Sequence, residues 1–118
     1  MKIYTSYFGN YRNFGDLYPI SIALYPPDRY LGEELKALAP TRKILRYKDN
    51  EEMYTTLFNR KLNDLSAKKV FKYFESTYPG KDFLLLCYEK PPQFCHRHLV
   101  AKWLEKELNI KVEELKYK

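Results

Sequence analysis

A chain of 118 residues, 45% apolar and 31% charged, has room for one compact domain and little more. Seven prolines and four glycines in a mixed background exclude a collagenous, disordered or low-complexity chain, while two cysteines and two histidines are too few for a disulfide scaffold or a histidine-rich metal centre. The formal charge is +6, and residues 36–72 carry all of that excess, with ten basic side chains against four acidic ones.

No apolar run approaches the roughly 20 residues of a membrane helix. Met1-Lys2-Ile3-Tyr4 leads into an alternating strand pattern rather than a signal peptide, so a cytoplasmic protein without a membrane partner is expected.

Residues 2–8 read as a first strand, followed by the polar and aromatic loop Phe8-Gly9-Asn10-Tyr11-Arg12-Asn13-Phe14-Gly15. Residues 19–24 predict a second buried strand, with Pro19 at its first position, where a missing donor matters least. Leu31, Leu35 and Leu38 recur at helical spacing and predict a short helix over 32–39, closed by Pro40. Ile44 and Leu45 suit a short strand or a loop. A helix over 49–57 is expected, with Asp49 or Asn50 as its cap and Met53, Tyr54 and Leu57 on one side. The next helix, from 64 to the stop at Tyr78-Pro79-Gly80, turns Leu65, Val70, Phe71 and Phe74 inward and Lys68, Lys69 and Lys72 outward.

Phe83-Leu84-Leu85-Leu86-Cys87 has no polar alternation, which is the pattern of a central strand covered on both faces. A last helix starts near Phe94 or Cys95 and runs to about Leu108, where Asn109 suits the left-handed residue that ends it. Residues 110–113 return as a half-exposed strand. Strands alternating with helices around one apolar strand predict a small three-layer α/β domain, with a mostly parallel sheet and helices on both faces.

In such a sheet, chemistry gathers between strand ends and the helices that follow. Cys87, Tyr88, Glu89, Cys95, His96 and Arg97 all fall at that junction. On the helical wheel His96 lies inside the buried stripe of Leu99, Val100, Trp103 and Leu104, Arg97 on its flank, Cys95 at the opposite border and His98 facing away. A buried arginine needs a partner, and Glu89, reached back across the proline loop, is the nearest candidate for a fork with Arg97. The first helical turn favours a thiolate at Cys95, while neighbouring side chains diverge on a helix, so His96 need not be its base. Cys87 suits inert core packing or a dithiol with Cys95. Cys87, Cys95, His96 and His98 do not converge readily on a tetrahedral ion, and neither a metal nor a cofactor is expected. The consecutive pairs Glu33/Glu34, Glu51/Glu52 and Glu113/Glu114 point to different faces and need no role beyond solvation.

Leu85-Leu86-Cys87-Tyr88-Glu89-Lys90-Pro91 followed by Phe94-Cys95-His96-Arg97-His98 and Trp103-Leu104 closely resembles the family called domain of unknown function 488. Ile3-Tyr4-Thr5-Ser6, Leu38-Ala39-Pro40 and Tyr54 are similar to its pattern too. The resemblance implies a shared α/β core and a shared Cys, Glu and Cys-His-Arg centre. Many members of that family carry an arginine-containing stretch where this chain has Ala23-Leu24-Tyr25-Pro26-Pro27, and Arg12 and Arg29 are the candidates to take its place.

Three functions fit these residues. The first is an enzyme acting on a nucleotide, nucleic acid or other phosphorylated substrate. Cys95 would be its nucleophile or acid, Glu89 its orienting group and His96 its proton carrier, with Arg97, Cys87, Tyr88, Tyr7, Asn10 and Arg12 around the substrate. The second is a non-catalytic nucleic-acid-binding module using Arg42, Lys43, Arg60, Lys61, Lys68 and Lys69, with the tyrosines of the first thirty residues available for base stacking. The third is a structural or interaction protein in which the cluster locks the last helix.

Overall fold

The computed structural model describes residues 1–88 and 94–115. Among these residues, five strands form one sheet: β1 (Ile3–Tyr7), β2 (Tyr18–Ser21), β3 (Glu33–Glu34), β4 (Phe83–Cys87) and β5 (Val112–Glu114). Their order is β3-β2-β4-β1-β5, and every pairing is parallel. Among the described residues, four α-helices accompany them: α1 (Arg42–Leu45), α2 (Glu51–Asn63), α3 (Ala67–Thr77) and α4 (His96–Leu108).

The apolar run of β4 is the middle strand, and all five of its residues are inaccessible to solvent. Alternate side chains serve two cores. Phe83, Leu85 and Cys87 pack with Phe58, Phe74, Val100 and Leu104 under the α-helices, while Leu84 and Leu86 pack with Phe8, Phe14 and Tyr30 on the other face. The second face is covered by the 3-10 segment Phe8–Phe14 and its loop, so the three layers are present with the α-helices gathered on one side.

Local chemistry places the helix ends. Thr41, Asn50 and Ser66 each accept a hydrogen bond from the backbone N–H three residues on, at 3.1–3.2 Å. Asn109 closes α4 at φ 54°, ψ 44°. Glycine relieves the Cβ crowding of that conformation. Asn109→Gly is therefore expected to raise stability by a few tenths of a kcal/mol and at most about 1 kcal/mol, read as a higher urea midpoint.

Two expected elements differ. The helix over 32–39 is replaced by β3 and a single 3-10 turn, Lys36–Leu38. The open edge of β2 captures this backbone: Ile20 and Ser21 pair with Glu33 and Glu34, and Leu35 N–H donates to the Ser21 carbonyl at 2.8 Å. Leu31 is 88% exposed, so the leucine spacing did not mark a buried stripe. Around Ile44, the chain forms the one-turn helix α1 because Thr41 caps it.

Candidate active site

The ends of β2 and β4 meet the start of α4 at a cleft of about 660 Å3. Its walls include Tyr25, Lys48, Tyr54, Tyr88, Cys95 and His96. That size falls within the usual range for small-molecule sites, and the aromatic walls with a few polar groups are of the usual kind.

Cys95 is the residue before the first turn of α4, with extended backbone at φ −149°, ψ 145°. It therefore escapes the wheel geometry, and its Sγ lies 3.8 Å from Nδ1 of its neighbour His96. His96 is buried, and its Nε2 lies 2.6 Å from the Ile22 carbonyl oxygen. A carbonyl only accepts, so Nε2 carries the proton of the neutral ring and Nδ1 presents a bare lone pair to the sulfur. Burial holds the imidazole neutral down to about 4, with the nearby charges of Arg97 and Lys61 acting in the same direction. The partially buried His98 is also lowered, by burial and by Arg97, and stands apart from this contact.

Behind the cleft wall, Arg97 is completely buried. Its Nε donates to Glu114 Oε1 at 3.0 Å and its Nη2 to Glu114 Oε2 at 3.0 Å, a two-pronged fork. Thr5 donates its hydroxyl to Glu114 Oε1 at 2.6 Å, and Arg97 Nη1 donates to Cys87 Sγ at 3.2 Å. Cys87 and Cys95 are joined as a disulfide, which links this buried network to the cleft.

These contacts revise several expectations. Glu89 and its expected fork with Arg97 lie outside the described residues; the fork seen there is with Glu114. Glu113 and Glu114 do face opposite ways, which is why one of them reaches the core face of β5. The period-two alternation of Val112 and Glu114 was the available signal. Arg97 and Cys87 sit behind the cleft wall rather than on it, because both face the interior between sheet and helix. Cys87 is not inert packing: its sulfur is bonded to Cys95. The three donors Cys87 Sγ, Cys95 Sγ and a ring nitrogen of His96 converge to within 4.8 Å, contrary to the divergence expected of them. The extended backbone at Cys95 brings them together, and His98 does not join.

Tyr88 lines the cleft, but Tyr7, Asn10 and Arg12 do not. Asn10 is buried, donating to Ser6 Oγ at 3.2 Å and accepting from Asn13 at 2.7 Å, so its amide holds the loop. Arg12 is exposed over the Tyr11 ring. Tyr25 is the one tyrosine of the first thirty residues on the cleft wall. Tyr30 is buried and donates to the Glu33 carbonyl at 2.7 Å.

In the basic set, Lys61 turns inward and donates to the carbonyls of Lys36 at 3.2 Å, Ala37 at 2.9 Å and Ala39, capping the 3-10 turn rather than facing a polyanion. Burial lowers its pKa. Arg42 donates to the Tyr25 hydroxyl at 2.7 Å. Lys43, Arg60, Lys68 and Lys69 are exposed. Lys48, Asp49 and Tyr54 are among the cleft residues that sequence reasoning passed over as candidates, since they come from the ordinary start of a helix.

The family model DUF488-N3a, described as the active DUF488-N3 subclade, matches residues 3–108. The chain belongs to this family. The matched stretch includes Cys95, His96 and Arg97 at the start of α4. No match is found among the curated proteins or among the solved structures. Among the described residues of this DUF488 domain, no helix is long and apolar enough to cross a membrane.

Proposed function

We propose that this DUF488 domain is an enzyme that uses Cys95, in its reduced form, as a nucleophile on a nucleotide-class substrate held in the cleft. The observation that carries this reading is the bare Nδ1 of His96 set against the Cys95 sulfur on the cleft wall. As Cys95 attacks an electrophilic carbon or phosphorus, its S–H proton passes to Nδ1 and the imidazolium returns that proton to the leaving group. Water then releases the covalent intermediate.

The cleft chemistry supports the substrate class. Tyr25, Tyr54, Tyr88 and Phe94 offer rings to a base, and Lys48 offers a cation to a phosphate. A family described as active agrees with a working centre. Arg97 takes a different part from the one its sequence position suggested, positioning sulfur and strand rather than holding the anion.

The test is turnover of a panel of nucleotides and short oligonucleotides by the fully reduced protein. Cys95→Ser is expected to abolish turnover, and His96→Gln to lower kcat by about 10²-fold or more. Because burial keeps the imidazole free of its proton, the acid limb of kcat/KM is expected near pH 4 rather than near 6.5. Undiminished turnover in Cys95→Ser, or no reaction with any member of the panel, overturns the reading.

A further inference from the structure

We infer that the Cys87–Cys95 disulfide is exchange-active toward low-molecular-weight thiols and disulfides, with Cys95 as the sulfur attacked and Cys87 as the sulfur released. This goes beyond the nucleophile reading, because it assigns a redox activity to the pair and a distinct part to each cysteine.

Access makes the first assignment. Cys95 Sγ belongs to a residue on the cleft wall, whereas Cys87 is wholly inaccessible between β4 and α4. A thiolate in the cleft therefore meets Cys95. Electrostatics makes the second assignment. Arg97 Nη1 donates to Cys87 Sγ at 3.2 Å, and Glu114, itself held by the Thr5 hydroxyl, fixes the guanidinium in place. A guanidinium stabilises a thiolate at that atom, and a more stable thiolate leaves faster in exchange. The same positive charge argues against a cation shared by Cys87, Cys95 and His96.

The chemistry balances with a thiol as reductant. An incoming thiolate attacks Cys95 Sγ, the sulfur–sulfur bond breaks, and its electron pair moves to Cys87 Sγ beside Arg97. A second thiolate attacks the external sulfur of the mixed disulfide and expels the Cys95 thiolate, which takes a proton. One protein disulfide and two thiols become one protein dithiol and one external disulfide. The reverse sequence oxidises the pair and removes the Cys95 thiol.

The whole chain is equilibrated in buffers of varied reduced-to-oxidised glutathione ratio, quenched in acid, alkylated with N-ethylmaleimide and weighed intact. Two alkylations are expected at the reducing end and none at the oxidising end. Cys87→Ser is expected to trap glutathione on Cys95 in oxidised buffer, and Cys95→Ser to leave Cys87 unmodified in the folded protein. In a time course quenched at intervals after addition of reduced glutathione, Arg97→Met/Glu114→Met, which removes the buried pair together, is expected to slow reduction by about tenfold. Glutathione found on Cys87, a pair unchanged across the series, or reduction unaffected by that double substitution overturns the inference. Thiol counting requires no turnover. Glutathione on Cys87, or reduction unaffected by the double substitution, leaves Cys95 as nucleophile untouched, and a lack of turnover leaves the exchange measurement standing.

Discussion

Replacing Arg97 with alanine is expected to destabilise the domain by about 3 kcal/mol, toward the lower end of the usual range for breaking a buried ion pair. Chemical unfolding should show a lower midpoint with an unchanged slope. Arg97 is completely buried and forked to Glu114, while the Glu114 side chain remains 20% exposed. Water can reach the orphaned carboxylate, which sets the effect near the lower end. The variant also withdraws the donor to Cys87 and leaves Thr5 bonded to an unpaired charge. Arg97→Met/Glu114→Met removes both charges and should recover most of the loss, because two desolvated ions are then absent from the folded state. A fully stable Arg97→Ala protein would sink this account of how β5 is fastened to α4.

The parts of the fold legible in sequence are those in which one local pattern met no competitor. Five apolar residues in a row leave β4 no exposed face, and Asn109 accepts the left-handed conformation after a long amphipathic helix. Residues 31–38 show the opposite case. Their leucine spacing is helical, but the backbone donors and acceptors of the β2 edge gain more from Glu33 and Glu34 than a two-turn helix offers. Helical propensity was outweighed by a pairing partner more than ten residues away.

At the site, residue types were legible and partnerships were not. Cys95 and His96 could be placed on one helix start, yet their mutual direction depends on Cys95 being extended rather than helical. The bonding of Cys87 to Cys95 depends on the end of β4 meeting the start of α4. Glu114 was hidden by distance in the chain: parallel pairing sets β5 beside β1, and that register alone brings its carboxylate to Thr5 and Arg97. The short sequence span between Glu89 and Arg97 pointed to a nearer carboxylate, whereas sheet order supplied one 17 residues beyond the arginine.

Acidification is expected to weaken the domain through His96, with a sign that the hydrogen bonds dictate. In the unfolded chain imidazole takes up a proton near 6.5, but in the folded protein burial delays uptake to about 4. Between those values the unfolded state binds more protons, so stability falls as pH falls. The contribution is fully present above about 6.5 and is lost progressively toward 4, roughly 3 kcal/mol in all. Protonation does not break the Nε2–H bond to Ile22; it places a charge on a buried ring beside Arg97 and converts Nδ1 from an acceptor facing sulfur into a donor. His96→Gln offers an uncharged side chain with an N–H for the Ile22 carbonyl, so the difference in unfolding free energy between the two proteins should shrink or reverse from pH 7 to pH 4. A difference that stays constant over that interval would mean the folded protein accommodates imidazolium at this position, and with it a Cys95 neighbour already protonated near neutrality.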